Sequence, residues 1–320
     1  MRISHSGKKL VVITGGDPSG IGPEIILKAL TGCSLVKKIT PLIIGDYKTF
    51  RKNAEILKID IPSSVRFMDL KNVPPGSFRF GRIDKAYGRA SMEYLSRGVS
   101  IVKSTRFASL VTAPINKESI NKAGFKFPGH TEFLSHITKS KKVTMMLVGG
   151  GLRVSLVTRH IPLGEVAGCI TKNKIIQTAE STHYALKRFF RIPRPKIGIA
   201  GLNPHAGEGG ILGKEEKKII LPAVNCLRRK SRGTQGPFAP DTLFYKAYKQ
   251  ELDGVVCMYH DQGLIPLKMV AFDKGVNLTI GLPFIRTSPD HGTGFDIAGK
   301  GEASPSSMVE AIKLAAKLSC

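Results

Sequence analysis

Apolar runs of strand length alternate with amphipathic runs of helix length along most of the chain. The apolar runs predict strands over Leu10–Thr14, Pro41–Ile44, Ala108–Thr112, Thr144–Val148, Arg153–Val157, Lys196–Ala200, Gly254–Met258 and Val276–Ile280. The amphipathic runs predict helices over Pro23–Leu30, Lys117–Lys122, Lys172–Phe190, Lys214–Arg229, Pro240–Lys249 and Pro305–Leu318. Pro23 suits a first helical position with Gly32 beyond the far end, and Thr171 and Ser304 suit N-caps. Strand–helix alternation of this kind predicts an α/β fold with a largely parallel central sheet. The stretch VTMMLVGGGLRVSLVT breaks the alternation. It reads as two strands joined by a glycine turn, an antiparallel excursion suited to an arm that pairs with a partner subunit.

At 320 residues the chain is more comfortable as two domains than as one. The best division is a discontinuous first domain, 1–128 plus 265–320, and a second over 129–264. Hydrophobic residues make up 42%, which is globular composition and excludes disorder. The opening apolar run, LVVI, is too short for a signal peptide, and no stretch of about 18 apolar residues predicts a membrane span. Five cysteines with no CxxC pair argue against a disulfide framework or a cysteine zinc site and fit a reducing cytoplasm. Cys257 and His260 are three apart, which on a strand puts them on opposite faces and keeps them from sharing a metal. The net charge of +25 raises a nucleic-acid reading. The basic residues are instead spread through helices, with no nucleic-acid-binding motif, and such a field also attracts a small anionic substrate.

Three of the eight histidines carry the chemistry. His160, His205 and His260 each stand at or just past the C-terminal end of a predicted strand, the edge where open α/β sheets bind ligands. Three neutral imidazoles hold a divalent ion and leave coordination sites open, as a catalytic metal requires. Their spacing is no local motif, so they suit a metal hydroxide that attacks a substrate and a metal that grips one equally well. Asp261, beside His260, is placed to orient an imidazole. Lys268, flanked by apolar residues, either snorkels outward or is buried to bind a carboxylate or move a proton. ITGGDPSGIGPE is a glycine-rich strand-to-helix turn that matches neither a phosphate loop nor GxGxxG. IRTSPDHGTGFDIAGKGEASP is a glycine-rich polar loop before the last helix.

GDPSGIGPE, TAPINKESI, FPGHTEFL, TRHIPL, LNPHAGEGG, GPFAPDTLF, YHDQGLIPLK and HGTGFDIAGKG occur in order over essentially the whole chain. This set resembles the 4-hydroxythreonine-4-phosphate dehydrogenase family of pyridoxal phosphate biosynthesis. HGTGFDIAGKG also resembles the HGSAPDIAGKG cofactor loop of isocitrate and isopropylmalate dehydrogenases, with Gly294 and Phe295 in place of Ala-Pro.

The resemblance implies a two-domain fold of that dehydrogenase type, with the active-site cleft between domains, and a homodimer sharing its site between subunits. It implies His160, His205 and His260 as metal ligands, with zinc, cobalt or magnesium as the ion. It implies His130, Thr131, Lys268, Asn277 and Arg286 as substrate-binding residues. His291, Gly292, Thr293, Gly294 and Asp296 fall on the cofactor loop for NAD or NADP. For the proton, Lys268 is the first candidate, with Asp241 and Asp261 behind it. The implied reaction is oxidation of 4-phosphohydroxy-L-threonine with metal-assisted decarboxylation. A dehydrogenase of the same family acting on 4-phosphorylated threonate or erythronate is the near alternative, and a three-histidine metallohydrolase the distant one.

Overall fold

The computed structural model describes residues 8–31, 38–74, 76, 78–230 and 233–319. The chain forms two compact units, Met1–Ser140 with Leu282–Cys320, and Lys141–Gly281.

The first unit is built on strands β1 (Lys9–Thr14), β2 (Ile39–Gly45), β3 (Arg66–Asp69), β4 (Ser109–Thr112) and β11 (Ile285–Pro289). They lie in the order β3-β2-β1-β4-β11, all parallel. Val11, Val12, Ile13, Leu110 and Val111 are fully buried, as expected of parallel strands covered on both faces. Helices α3 (Lys85–Ser104) and α11 (Ser306–Leu318) both pack on β1 and β4. Helices α1 (Gly22–Thr31), α2 (Tyr47–Leu57), α4 (Lys117–Lys122) and α5 (His130–Thr138) complete the unit. The chain runs from β1 to β2 and β3 on one side, then returns to place β4 on the other side of β1. That reversal is a topological switch point, and the crevice beyond the strand ends there is a ligand position.

The second unit has β10 (Val276–Ile280), β5 (Thr144–Gly149), β6 (Leu152–Leu156), β9 (Gly254–Cys257), β7 (Ile197–Ala200) and β8 (Thr234–Phe238), in that order. Among these six strands, only β5 runs against the others. Alternation along β9 sorts two apolar layers. Val256 and Met258 join Ile197 and Ile199 under α7 (Lys172–Arg188) and α8 (Leu221–Lys230). Val255 and Cys257 join Leu243, Leu264 and Leu267 under α9 (Pro240–Tyr248) and α10 (His260–Ala271). Each such side chain contributes roughly 1.5–3 kcal/mol by burial. A short helix, α6 (Val166–Cys169), precedes α7.

Several expectations need correction. The VGGG hairpin forms, with Gly150 and Gly151 at φ +56° and +85°, values suited to a two-residue turn. It is not an arm: β5 pairs with β10 and β6 with β9, so both strands lie inside the sheet. His260 opens helix α10 rather than continuing β9, so the strand argument separating it from Cys257 does not apply. Burial separates them instead, because Cys257 is fully enclosed. Thr171 does cap α7, accepting from the Lys174 N–H at 3.2 Å. The N-cap of α11 is Pro305, with Ser304 one residue earlier. Gly22 rather than Pro23 opens α1, and Gly32 lies outside the described residues. The units divide at Ser140 and Gly281, so α5 belongs to the first and α10 to the second. Cys169, Cys226 and Cys257 are free thiols, while Cys33 and Cys320 lie outside the described residues. Among the described residues, no helix is long and apolar enough to cross a membrane.

Candidate active site

The three histidines follow three adjacent parallel strands: His160 after β6, His260 after β9 and His205 after β7. Strands β7 and β9 flank a second switch point, since the chain goes from β7 to β8 on one side and returns to β9 on the other. Neighbouring strands are about 4.8 Å apart, so side chains just beyond their ends can converge. The rings of His160 and His260 do converge, with centroids 5.5 Å apart. That spacing suits two imidazoles sharing one ion at metal–nitrogen bonds of about 2.1 Å. His260 Nδ1 lies 2.7 Å from Asp261 Oδ1, and His205 Nδ1 lies 2.9 Å from Glu208 Oε2. With the proton on Nδ1, each ring donates to its carboxylate and keeps the Nε2 lone pair for a metal, the usual arrangement of a metal-binding histidine. The donor chemistry therefore fits a divalent ion. Among the described residues, however, no group of three or more His, Cys, Asp or Glu is close enough to hold one. His205 does not join the other two within one chain.

His205 sits in an unusual turn. His205, Ala206 and Glu208 have φ of +51°, +53° and +42°, with left-handed glycines interleaved. Non-glycine residues in that region cost about 1 kcal/mol or more each and persist only when their surroundings hold them. The turn projects His205 into solvent, with 67% of its side chain exposed. Its hydrogen bond with Glu208 raises the imidazole above its ordinary pKa, and Asp241 acts in the same direction.

The first unit gathers a different set at its own switch point. Arg286, on β11, is 2% exposed, and its Nε and Nη2 donate to Thr112 Oγ1 at 3.1 and 2.6 Å. Burial lowers its pKa to about 9, opposed by Glu132. His130 opens α5, and its Nε2 is sealed from solvent with no hydrogen-bond partner. Burial holds this imidazole well below its ordinary pKa, and Arg286 adds to the effect. A neutral imidazole beside a buried guanidinium is a place for an anionic oxygen. Thr131 follows on α5, half-buried. In the second unit, Asn277 on β10 has a buried Oδ1 with no partner. A buried acceptor left unsatisfied costs about 1–3 kcal/mol, and a ligand donor would relieve it.

The two glycine-rich segments prove to be one construction. Ile21 N–H donates to Thr293 O at 2.9 Å, and a Cβ on Gly20 would come within 2.8 Å of the same carbonyl. Lys28 Nζ donates to Gly301 O and Ala303 O, both at 2.8 Å, while Glu24 Oε1 accepts from Ala303 N–H. The GDPSGIGPE turn thus holds the HGTGFDIAGKG loop. His291, Gly292 and Asp296 are exposed on that loop, and Thr293 and Gly294 half-buried.

A family model described as pyridoxal phosphate biosynthetic protein PdxA matches residues 37–315. The chain belongs to this family. It is 43% identical over 97% of its length, and 95% of the relative's, to the 4-hydroxythreonine-4-phosphate dehydrogenase of Desulforapulum autotrophicum. It is 42% identical, over 97% of both chains, to the D-threonate 4-phosphate dehydrogenase of Cupriavidus necator. Among solved structures, 4-hydroxythreonine-4-phosphate dehydrogenase from Klebsiella pneumoniae matches with a TM-score of 0.91 at 36% identity, covering 99% of each chain. Family members of this kind are named dehydrogenases, and the α/β fold and the oxidoreductase class follow.

The remaining candidates lie apart. Asp241 is exposed in the first turn of α9, with Oδ1 on the Thr242 N–H. Asp261 is exposed and engaged with His260. Lys268 is half-buried on α10, its ammonium 5.4 Å from the Phe272 ring. Sequence reasoning missed Thr112, Glu132 and Glu208. Glu208 carries a readable signal, a carboxylate three residues after His205; the others become visible only once strands are paired. Arg286→Lys is expected to raise KM for a phosphorylated substrate about 10–100-fold with little change in fold, because a lysine cannot reproduce the planar fork. Steady-state kinetics with a thermal-unfolding control measure this.

Proposed function

We propose that the protein oxidises the secondary hydroxyl of 4-phosphohydroxy-L-threonine with NAD or NADP and decarboxylates the product to 3-amino-2-oxopropyl phosphate. One observation carries the reading: three histidines follow three adjacent parallel strands beside a switch point, in a chain of a dehydrogenase family. A metallohydrolase would leave the held HGTGFDIAGKG loop without a role.

When bound, a divalent ion supplies Lewis-acid stabilisation of a developing oxyanion, and a nicotinamide accepts the hydride. His160, His205 and His260 would hold the ion. Imidazole donors favour zinc or cobalt over magnesium. Asp261 and Glu208 fix the rings of His260 and His205 through Nδ1. With Asp261 engaged by His260 and Asp241 by the Thr242 N–H, Lys268 is the remaining candidate to take the hydroxyl proton. Arg286, with His130 and Thr131 nearby in sequence or space, grips an anionic group, and Asn277 Oδ1 accepts from a substrate donor. His291 to Asp296 line the cofactor, on a loop braced from below by Gly20, Ile21 and Lys28.

Because His205 stands apart within one chain, we infer that two copies complete the ligand set between them. A monomeric variant would then lose both metal and activity.

The test is reduced-nicotinamide formation by metal-loaded protein with 4-phosphohydroxy-L-threonine and, in parallel, with 4-phosphorylated D-threonate. Turnover of the first at a kcat/KM at least tenfold above the second is the expected result. The reverse preference would move the protein to the threonate activity named for the Cupriavidus necator relative. No signal with either substrate would sink the reading.

A further inference from the structure

Beneath the three histidine loops runs a continuous chain of hydrogen bonds that none of the proposed chemistry uses. It begins at Thr158, two residues before His160. Thr158 Oγ1 donates to Met258 O at 2.7 Å, and its backbone N–H donates to the same carbonyl. Met258, two residues before His260, donates its N–H to Gln262 Oε1 at 2.7 Å. Gln262 Nε2 then donates to Gly201 O, also at 2.7 Å, across 61 residues of sequence. Gly201 opens the segment that carries His205. The next two backbone N–H groups, of Leu202 and Asn203, both donate to Glu216 Oε1 at 2.7 and 2.8 Å. Asn203 Nδ2 reaches Glu216 Oε2 at 2.9 Å.

Gln262 is the link between the His260 loop and the His205 loop. Its amide is used in both senses, accepting from one strand end and donating to the other. It is 8% exposed, and Glu216 is 4% exposed. Glu216 also lies under the left-handed turn, where a Cβ on Gly207 would come within 2.6 Å of its Oε2. It starts the single turn of π-helix, Glu216–Ile220, that leads into α8. Such turns are rare and recur at functional sites. The left-handed segment from His205 to Gly210 needs an external brace, and this is one.

We propose that Gln262 and Glu216 are positioning residues for the metal ligands: Gln262 fixes the base of the His260 loop and the base of the His205 loop, so that each presents its histidine to the ion it would share with the partner copy, and Glu216 holds the His205 turn in shape. The inference rests on the reading that His205 binds the ion. Both residues are buried and neither is assigned as a ligand. Both act through the backbone that carries the histidines, the way partners outside the ligand shell fix ligand geometry in metal sites.

The informative variant is Gln262→Glu. It keeps the acceptor for Met258 N–H but turns the donor facing Gly201 O into a second acceptor. Glu216→Gln tests the same chain from its other end and stands in if Gln262→Glu does not fold. Chelator-treated full-length protein is titrated with Co²⁺, reading both affinity and the visible ligand-field spectrum. Each variant is expected to bind Co²⁺ about 10–100-fold more weakly, with altered ligand-field bands, at temperatures where the fold is intact. His205→Ala is run beside them. If His205→Ala binds Co²⁺ like the unaltered protein, the metal reading itself fails. If His205→Ala weakens binding but the folded variants match the unaltered affinity and spectrum, the positioning role is overturned. A fall in melting temperature with unchanged Co²⁺ binding overturns it equally, since it marks a purely structural bond.

Discussion

His260→Ala is expected to lower kcat/KM by about three to four orders of magnitude and to abolish stoichiometric metal binding. His260 follows β9, the strand between β6 and β7, so it is the histidine with a neighbour of the same kind on each side. Its ring is the one that meets His160, at 5.5 Å. Removing it leaves no pair of converging imidazoles among the three. A loss of that size corresponds to about 4–5.5 kcal/mol of transition-state stabilisation, within what a Lewis acid at a developing oxyanion supplies. The fold should survive. His260 is half-buried at the start of α10, and no side chain caps that helix. Substitutions away from buried networks stay within about 0.5 kcal/mol. Metal analysis of the purified variant, with circular dichroism and kinetics, makes the comparison. Retained metal at one ion per site would remove His260 from the ligand set.

The parts of this architecture legible in the sequence are those where apolar pattern and structure coincide. Strands such as Leu10–Thr14 and Gly254–Met258 are continuous apolar runs because both their faces are covered. The histidines were legible because each interrupts the pattern where such a run ends. What escaped was polar and buried at once. Every residue of β11, IRTSP, is buried, yet most are polar, and the run looks like a loop. Its polarity is the point: Arg286 and Thr287 find partners across the fold, in Thr112 and in the Ala311 carbonyl. Helix α10 was hidden by Pro266 inside it, and by following β9 almost without a break. Helix α3 has a legible N-cap in Asp84, but its apolar stripe is diluted by arginines and glycines that long-range packing tolerates. The strands that gather the site pair across large sequence separations, and a local pattern holds no record of that pairing.

The second large effect is a pH dependence centred on Asp17. This carboxyl, in the turn after β1, is fully enclosed. Its Oδ1 accepts from Ser19 N–H at 2.9 Å, and its own N–H donates to Pro114 O at 2.9 Å. Oδ2 has no partner. Burial raises the group from 3.8 to about 7; the Ser19 N–H, the Ser119 hydroxyl and the Asn116 backbone oppose this, and the Asp84 charge adds to it. The folded pKa is above the unfolded one, so the folded chain keeps a proton that the unfolded chain releases. Stability from this group is therefore greatest below about pH 4. It falls as pH rises towards 7 and is lost above that. At 1.36 kcal/mol per pH unit the full loss is about 4 kcal/mol as an upper bound. Asp17→Asn keeps an oxygen for Ser19 N–H and cannot ionise. Relative to this variant, the unaltered protein should lose roughly 2–4 kcal/mol between pH 4.5 and pH 8, read from urea unfolding of the first unit's transition. The gap should open mainly between pH 5 and 7. Below pH 4 the two proteins should differ little, since both side chains are then neutral. A difference that stays constant across this range would mean that Asp17 is ionised in the folded chain throughout, with a cation or further donor compensating it at the turn that braces the His291–Asp296 loop.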